Sequence, residues 1–227
     1  MIPLKDENPT IHVPYATIAL IAINVIVFIF QATMSPRGDF IFVHRFGAIP
    51  LFITRLYDPF PLDGVPVWLT PLTSLFLHGG IMHILVNMLF LWTFGNNVED
   101  VLGPFRFVAF YLLCGLLATM AFVLTEFNSE QPLIGASGAI AGIMGAYLYL
   151  FPRARILTLF LIVVYPLFVW VPAVFFLVFW FVLQLINASV SSHSPVAFAA
   201  HIGGFLTGLL GIRLFLKKKP VQVRYLH

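Results

Sequence analysis

The sequence predicts an all-α membrane protein, a bundle of six transmembrane helices with a long interfacial loop between helices 1 and 2. Three observations predict it. Hydrophobic residues make up 60% of the chain and charged residues 9%, against roughly 25% charged in soluble domains. Apolar runs near the ~20 residues that cross a ~30 Å hydrocarbon core recur along almost the whole length. The 12 basic residues also divide unevenly, nine to three, between the two sides that these spans define.

Taken in order, the runs place spans at about 16–33, 82–95, 105–124, 138–151, 172–190 and 197–216. The first is long for a signal-peptide core and has neither a basic flank nor a cleavage pattern, so it reads as an uncleaved span. Residues 34–80 form the long loop, whose Tyr57, Phe60 and Trp68 suit a segment lying in the interface. A connection of that length is usually functional or partly structured. The fourth span is short, opened by Ser137 and Gly138 and closed at Phe151–Pro152, so it is expected to begin below the membrane surface. Its entry loop must then dip inward, which is tolerated where protein or a wet cavity surrounds the backbone. The apolar stretch Ile156 to Val190 exceeds one span. Pro166 and Pro172 divide it; Pro172 fits the first turn of a helix, leaving 156–170 at or dipping into the interface.

Nine basic residues (Lys5, Arg106, Arg153, Arg155, Arg213, Lys217, Lys218, Lys219, Arg224) fall on one side and three (Arg37, Arg45, Arg55) on the other. The basic-residue asymmetry puts both termini in the cytoplasm. The domain reading is a cytoplasmic segment 1–15, a membrane domain 16–216 and a basic tail 217–227. That tail suits anionic headgroups rather than nucleic acid. A single cysteine, Cys114, forms no intramolecular disulfide and reads as packing.

Polar residues inside spans carry the information, because hydrocarbon penalises them. His83 and Asn87 stand in the second span, Ser137 opens the fourth, and His201 lies in the sixth. All sit near the outer ends of their helices, at similar depth. Gly138 and Gly142, with Gly204 and Gly208, form two small-xxx-small motifs that let helix backbones approach closely. His201 shares the small face of its helix with both glycines, since the spacings are three and four. Packing that face on the fourth helix carries His201 towards Ser137. A serine hydroxyl becomes a useful nucleophile when a neutral histidine within hydrogen-bond reach takes its proton. The expected unit is a dyad, because no carboxylate lies in these spans to orient the base. The oxyanion that attack creates needs preorganised donors, which the Ser137 N–H at a helix start and the His83 and Asn87 side chains supply.

Each residue alone has a plainer reading. A serine at a membrane-helix start is usually a cap, Gly-xxx-Gly alone means packing, and His83 with Asn87 reads equally as interhelical hydrogen bonding. Joint placement lifts the site above these.

At these residues the sequence resembles the rhomboid intramembrane proteases. The match runs through His78-Gly-Gly-Ile-Met-His83-Ile-Leu-Val-Asn87, Gly135-Ala-Ser137-Gly138 and Ala200-His201-Ile-Gly-Gly204-Phe-Leu-Thr-Gly208. The opening Ile2 to Pro9 also looks like the start of many prokaryotic members. The resemblance implies a prokaryotic-type serine endopeptidase of the cell membrane, with Ser137 as nucleophile and His201 as base. It implies that His83 and Asn87 hold the oxyanion alongside backbone at Ser137 and Gly135, and that Glu99 and Gly103 form a structural pair after the second span. One departure is Leu69 following Trp68, where many members carry Trp-Arg.

The main rival is a rhomboid-like pseudoprotease acting as membrane chaperone or trafficking factor; loss of the serine or histidine would mark it, and both are present. A channel or transporter using His83 and His201 explains the polar residues but not Ser137 within Gly-Ala-Ser-Gly. Zinc on His78, His83 and His201 lacks a standard ligand spacing, so neither metal nor cofactor is expected. The expected partners are the lipid bilayer and transmembrane protein substrates.

Overall fold

Glycine, proline and the apolar runs between them set the helix ends. The computed structural model describes residues 1–60, 65–162, 165–190 and 196–216; the basic tail 217–227 lies outside them. The elements run β1 (Ile2–Asp6), α1 (Tyr15–Ala32), α2 (Pro36–Phe46), α3 (Pro50–Arg55), α4 (Thr70–Thr73), α5 (Ile81–Leu102), α6 (Pro104–Thr125), α7 (Ser137–Leu150), β2 (Arg155–Ile162), β3 (Tyr165–Pro172), α8 (Ala173–Val190) and α9 (Phe198–Phe215). Proline opens α2, α3 and α6 within their first two positions, where its missing N–H costs nothing.

Among the described residues five helices are long and apolar enough to cross a bilayer: α1, α5, α6, α8 and α9. The chain is a multi-pass membrane protein. The 14-residue α7 is apolar but shorter and is the most enclosed, with Gly138 to Tyr147 buried without a break. It is the central post, with α9, α6 and α5 around it. Tyr111, Tyr147, Phe94, Phe107 and Phe110 are fully buried between these helices. Outward faces carry exposed apolar side chains such as Ile26, Phe105, Leu124, Phe179 and Leu210, which lipid rather than water must cover.

The structure corrects the all-α expectation. Residues 156–162 and 165–170 fall in β2 and β3 of a three-stranded antiparallel sheet, order β1-β2-β3, with Ile2 opposite Leu159 and Arg155 opposite Pro172. β-Branched and aromatic residues favour strands, and the prolines sit where a sheet tolerates them: Pro3 in β1, Pro166 and Pro172 in β3, both edge strands. Pro172 therefore ends a strand instead of opening a helix. Arg155 locks the N-terminal strand, donating from its backbone N and Nε to Glu7 at 2.8 and 2.7 Å.

The helix of the second span, α5, is also longer than the expected 82–95. It continues to Leu102 and carries Glu99 inside it, not after it. Gly103, at φ +78°, ends the helix in a conformation that favours glycine, its N–H donating to the Glu99 carbonyl at 2.7 Å. The Glu99 carboxylate is buried and accepts from Ala16 N, Thr17 N and the Thr17 hydroxyl at 2.8, 2.7 and 2.7 Å. It thus caps α1, placing negative charge at the positive end of that helix.

The described part of the long loop is folded. Ala48 and Leu133 form a two-way bridge, Leu51 N donates to Ser129 O, and the Thr73 hydroxyl donates to Phe46 O at 2.6 Å. The first two clasp the loop to the segment leading into α7, and the third ties the loop to itself.

Candidate active site

Close backbone approach between α7 and α9 builds the site. A β-carbon on Gly204 would collide with the Gly138 carbonyl oxygen, and one on Gly208 with that of Gly142. Gly145 plays the same part against the Phe205 carbonyl, extending the small face of α7 one turn beyond the two expected glycines. Gly138 and Gly142 also take Ala118 and Cys114 of α6 against their bare faces. With the backbones this close, His201 Nε2 stands 2.9 Å from Ser137 Oγ.

Ser137 is the first residue of α7, with Ala136 as N-cap, so the first-turn N–H groups have no partner within the helix. Gly135 precedes them at φ +117°. Its N–H donates to Ser74 O at 2.9 Å, which fixes the entry loop to the 34–80 segment. That N–H is therefore engaged by the loop. The glycine is required sterically: a β-carbon there would lie 2.8 Å from His83 Nε2 and 2.9 Å from its Cε1, with Asn87 Nδ2 at 3.8 Å.

His83 and Asn87, one turn apart on α5, therefore lie against the backbone just before the serine. Gly79 N donates to His83 Nδ1 at 3.3 Å; a backbone N–H only donates, so His83 carries its proton on Nε2, on the side of Gly135. Asn87 Nδ2 is buried and has no partner. Two donors thus face the region beside Ser137. His78, 2% exposed, packs edge-on against His83 with ring centroids 5.1 Å apart. Among the described residues no group of three His, Cys, Asp or Glu could hold a metal ion.

Sequence reasoning missed Gln184. It is a buried residue of α8, and its Oε1 lies 2.9 Å from His201 Nδ1. Trp180, one turn earlier, sets its ring 5.8 Å from the imidazole. The signal was present: Gln184 is a polar residue inside an apolar span, the feature that singled out His83 and His201.

Residues 66–218, more than half of the chain, match the Rhomboid domain family model. The chain is 31% identical over 156 residues to RHOMBOID-like protein 5 of Arabidopsis thaliana, covering 64% of this chain and 44% of that one. It is 34% identical over 142 residues to Rhomboid protein 1, mitochondrial, of Saccharomyces cerevisiae, covering 60% and 39%. Over 83 residues it is 45% identical to Rhomboid protease GluP of Bacillus subtilis, covering 36% and 16%. It spans less than half the length of these curated relatives. The family match takes in Ser137, His201, His83 and Asn87 alike, and the chain belongs to the rhomboid family.

Proposed function

We propose that this chain is an intramembrane serine endopeptidase of prokaryotic type, with six spans, cytoplasmic termini and an active site that opens outward. The observation that carries the reading is the 2.9 Å approach of His201 Nε2 to Ser137 Oγ. His201 takes the serine proton as Oγ attacks a peptide carbonyl. The oxyanion is held by the Ser137 N–H, Asn87 Nδ2 and His83 Nε2. The protonated His201 then gives its proton to the leaving amine, and water, deprotonated by the same histidine, releases the acyl group from Ser137. All of this runs on side chains and backbone of the chain and water. The short α7 is the fourth of these six spans in chain order, starting at depth with the nucleophile as its first residue.

Substrates are transmembrane proteins. A helical segment hides its carbonyls in its own hydrogen bonds, so cleavage needs a stretch near the outer face that unwinds easily through Gly, Pro or small residues. The test is cleavage of such a reporter by the chain reconstituted in liposomes. Parental protein should cut it and Ser137→Ala should not; equal cleavage by both would refute the reading, and a folded parent that cuts no reporter would favour the pseudoprotease alternative.

A further inference from the structure

We propose that Gln184 is a positioning residue for His201, holding its imidazole in the one tautomer that leaves Nε2 bare towards Ser137. The inference rests on the hydrolytic reading above and adds a residue to it.

The orientation of the Gln184 amide is settled by its second contact. Its Nε2 donates to the Trp180 carbonyl at 3.2 Å, and of the two amide atoms only the nitrogen donates to a carbonyl. The oxygen must therefore be the atom facing His201 Nδ1 at 2.9 Å. An amide oxygen only accepts, so Nδ1 carries the ring proton. In a neutral imidazole Nε2 is then the acceptor, and it stands 2.9 Å from the Ser137 hydroxyl, which must donate to it. One proton placement satisfies the chain Ser137 to His201 to Gln184 to Trp180 carbonyl. The opposite tautomer would set an N–H against the serine and leave two lone pairs facing each other at Nδ1.

The sequence of α8 points the same way. Its inward residues follow helical spacing: Ala173, Phe176 and Leu177 are buried, Trp180 is partly buried, and Gln184 is 7% exposed, while Phe175, Val178, Phe179 and Val182 face outward. The stripe is apolar until it reaches the imidazole, where it turns polar. A buried amide is costly without partners, and Gln184 has one on each side. It supplies orientation without the negative charge that a carboxylate would bring into the bundle. Because its partners are on α8 and α9, the bond also ties the seating of α8 to the state of the base.

The experiment measures kcat and KM on one reporter in liposomes for the parent, Gln184→Met, Gln184→Glu and Ser137→Ala, with unfolding midpoints for each. Methionine keeps length and volume without the acceptor; glutamate keeps an acceptor. Gln184→Met should lose roughly 10- to 100-fold in kcat, the range seen when a metal-bound histidine loses its outer hydrogen-bond partner, with KM unchanged, and Gln184→Glu should recover part of that loss. A merely structural role gives the reverse order, because an apolar side chain suits the bundle better than a carboxylate. Parental kcat in Gln184→Met, or a Glu variant slower than Met, would overturn the inference while leaving the nucleophile assignment intact. Cleavage by Ser137→Ala would instead overturn the hydrolytic reading itself. Nitrogen-15 spectra of histidine-labelled parent, with the His201 signals assigned by their loss in His201→Ala, give a readout independent of variant folding. A neutral ring protonated on Nδ1 is expected, and one protonated on Nε2 would contradict the proposal.

Discussion

The Thr17 hydroxyl in the first turn of α1 and the Glu99 carboxylate near the end of α5 meet at 2.7 Å. Glu99 is 3% exposed and Thr17 fully buried, so this contact joins the start of α1 to the end of α5 out of reach of water. Hydrogen bonds to a charged acceptor contribute about 1.5–3 kcal/mol each, and truncating the acceptor strands buried donors. Glu99→Ala should therefore lower stability by at least about 3 kcal/mol, read as a drop in unfolding midpoint in detergent. Turnover per folded molecule should be nearly unchanged, because the contact is far along α5 from Asn87. Loss of turnover with an unchanged midpoint would contradict this.

Asp6 gives a pH dependence. Its carboxyl accepts from the Tyr147 hydroxyl and from Asn97 Nδ2, each at 2.7 Å, yet burial raises its pKa from 3.8 to about 6, with hydrogen bonds from Tyr147 and Asn8 opposing the shift. The folded state thus holds this proton more tightly than the unfolded chain. The stability that follows is present in full below pH ~4 and is lost as pH rises through about 6. Asp6→Asn removes the titration. Its unfolding midpoint relative to the parent should rise between pH 4 and 7; a constant difference across that range would contradict the assignment.

Gly135 and Gly204 separate conformational from packing demands. Gly135→Ala combines a φ of +117°, unfavourable for any residue with a β-carbon, with a contact on the His83 ring. It should displace His83, lowering kcat strongly at a stability cost of about 1–3 kcal/mol. Gly204→Val should instead damage the fold, by driving α9 off the Gly138 carbonyl. Thermal unfolding and kinetics on both variants check the distinction; a Gly204→Val protein with parental midpoint would be the contrary result.

The two oxyanion donors from α5 are expected to be graded. Asn87→Ala should retain measurable turnover while losing about 10²–10³ in rate, the usual cost of one such donor, because Ser137 N–H and His83 remain. His83→Ala should fall in the same class, with some loss of stability through the His78 ring. Full parental kcat in Asn87→Ala would remove it from the site.

The residues that made the site legible were polar atoms and glycines in apolar runs, where few explanations compete. The juxtaposition of Ser137 and His201 follows from their depth in the spans together with the glycine spacing between their helices. Residues 156–170 did not, because an apolar run without period-2 alternation serves an interfacial segment and a strand equally well, and its first partner, Ile2–Asp6, is a five-residue strand more than 150 positions away. The end of α5 was hidden by Asn96, Asn97, Glu99 and Asp100, which read as a span boundary but continue the helix below the apolar run. Gln184 escaped because dyad reasoning looked for a carboxylate, while an amide performs the same orientation without charge.

The proposed chemistry stands on Ser137 being a nucleophile activated by His201. The most direct measurement is labelling of the detergent-solubilised chain by a fluorophosphonate, with the modified residue mapped by peptide mass. A single adduct on Ser137 is expected, lost in His201→Ala at an unchanged unfolding midpoint. An adduct on another residue, or undiminished labelling of Ser137 in His201→Ala, would contradict it.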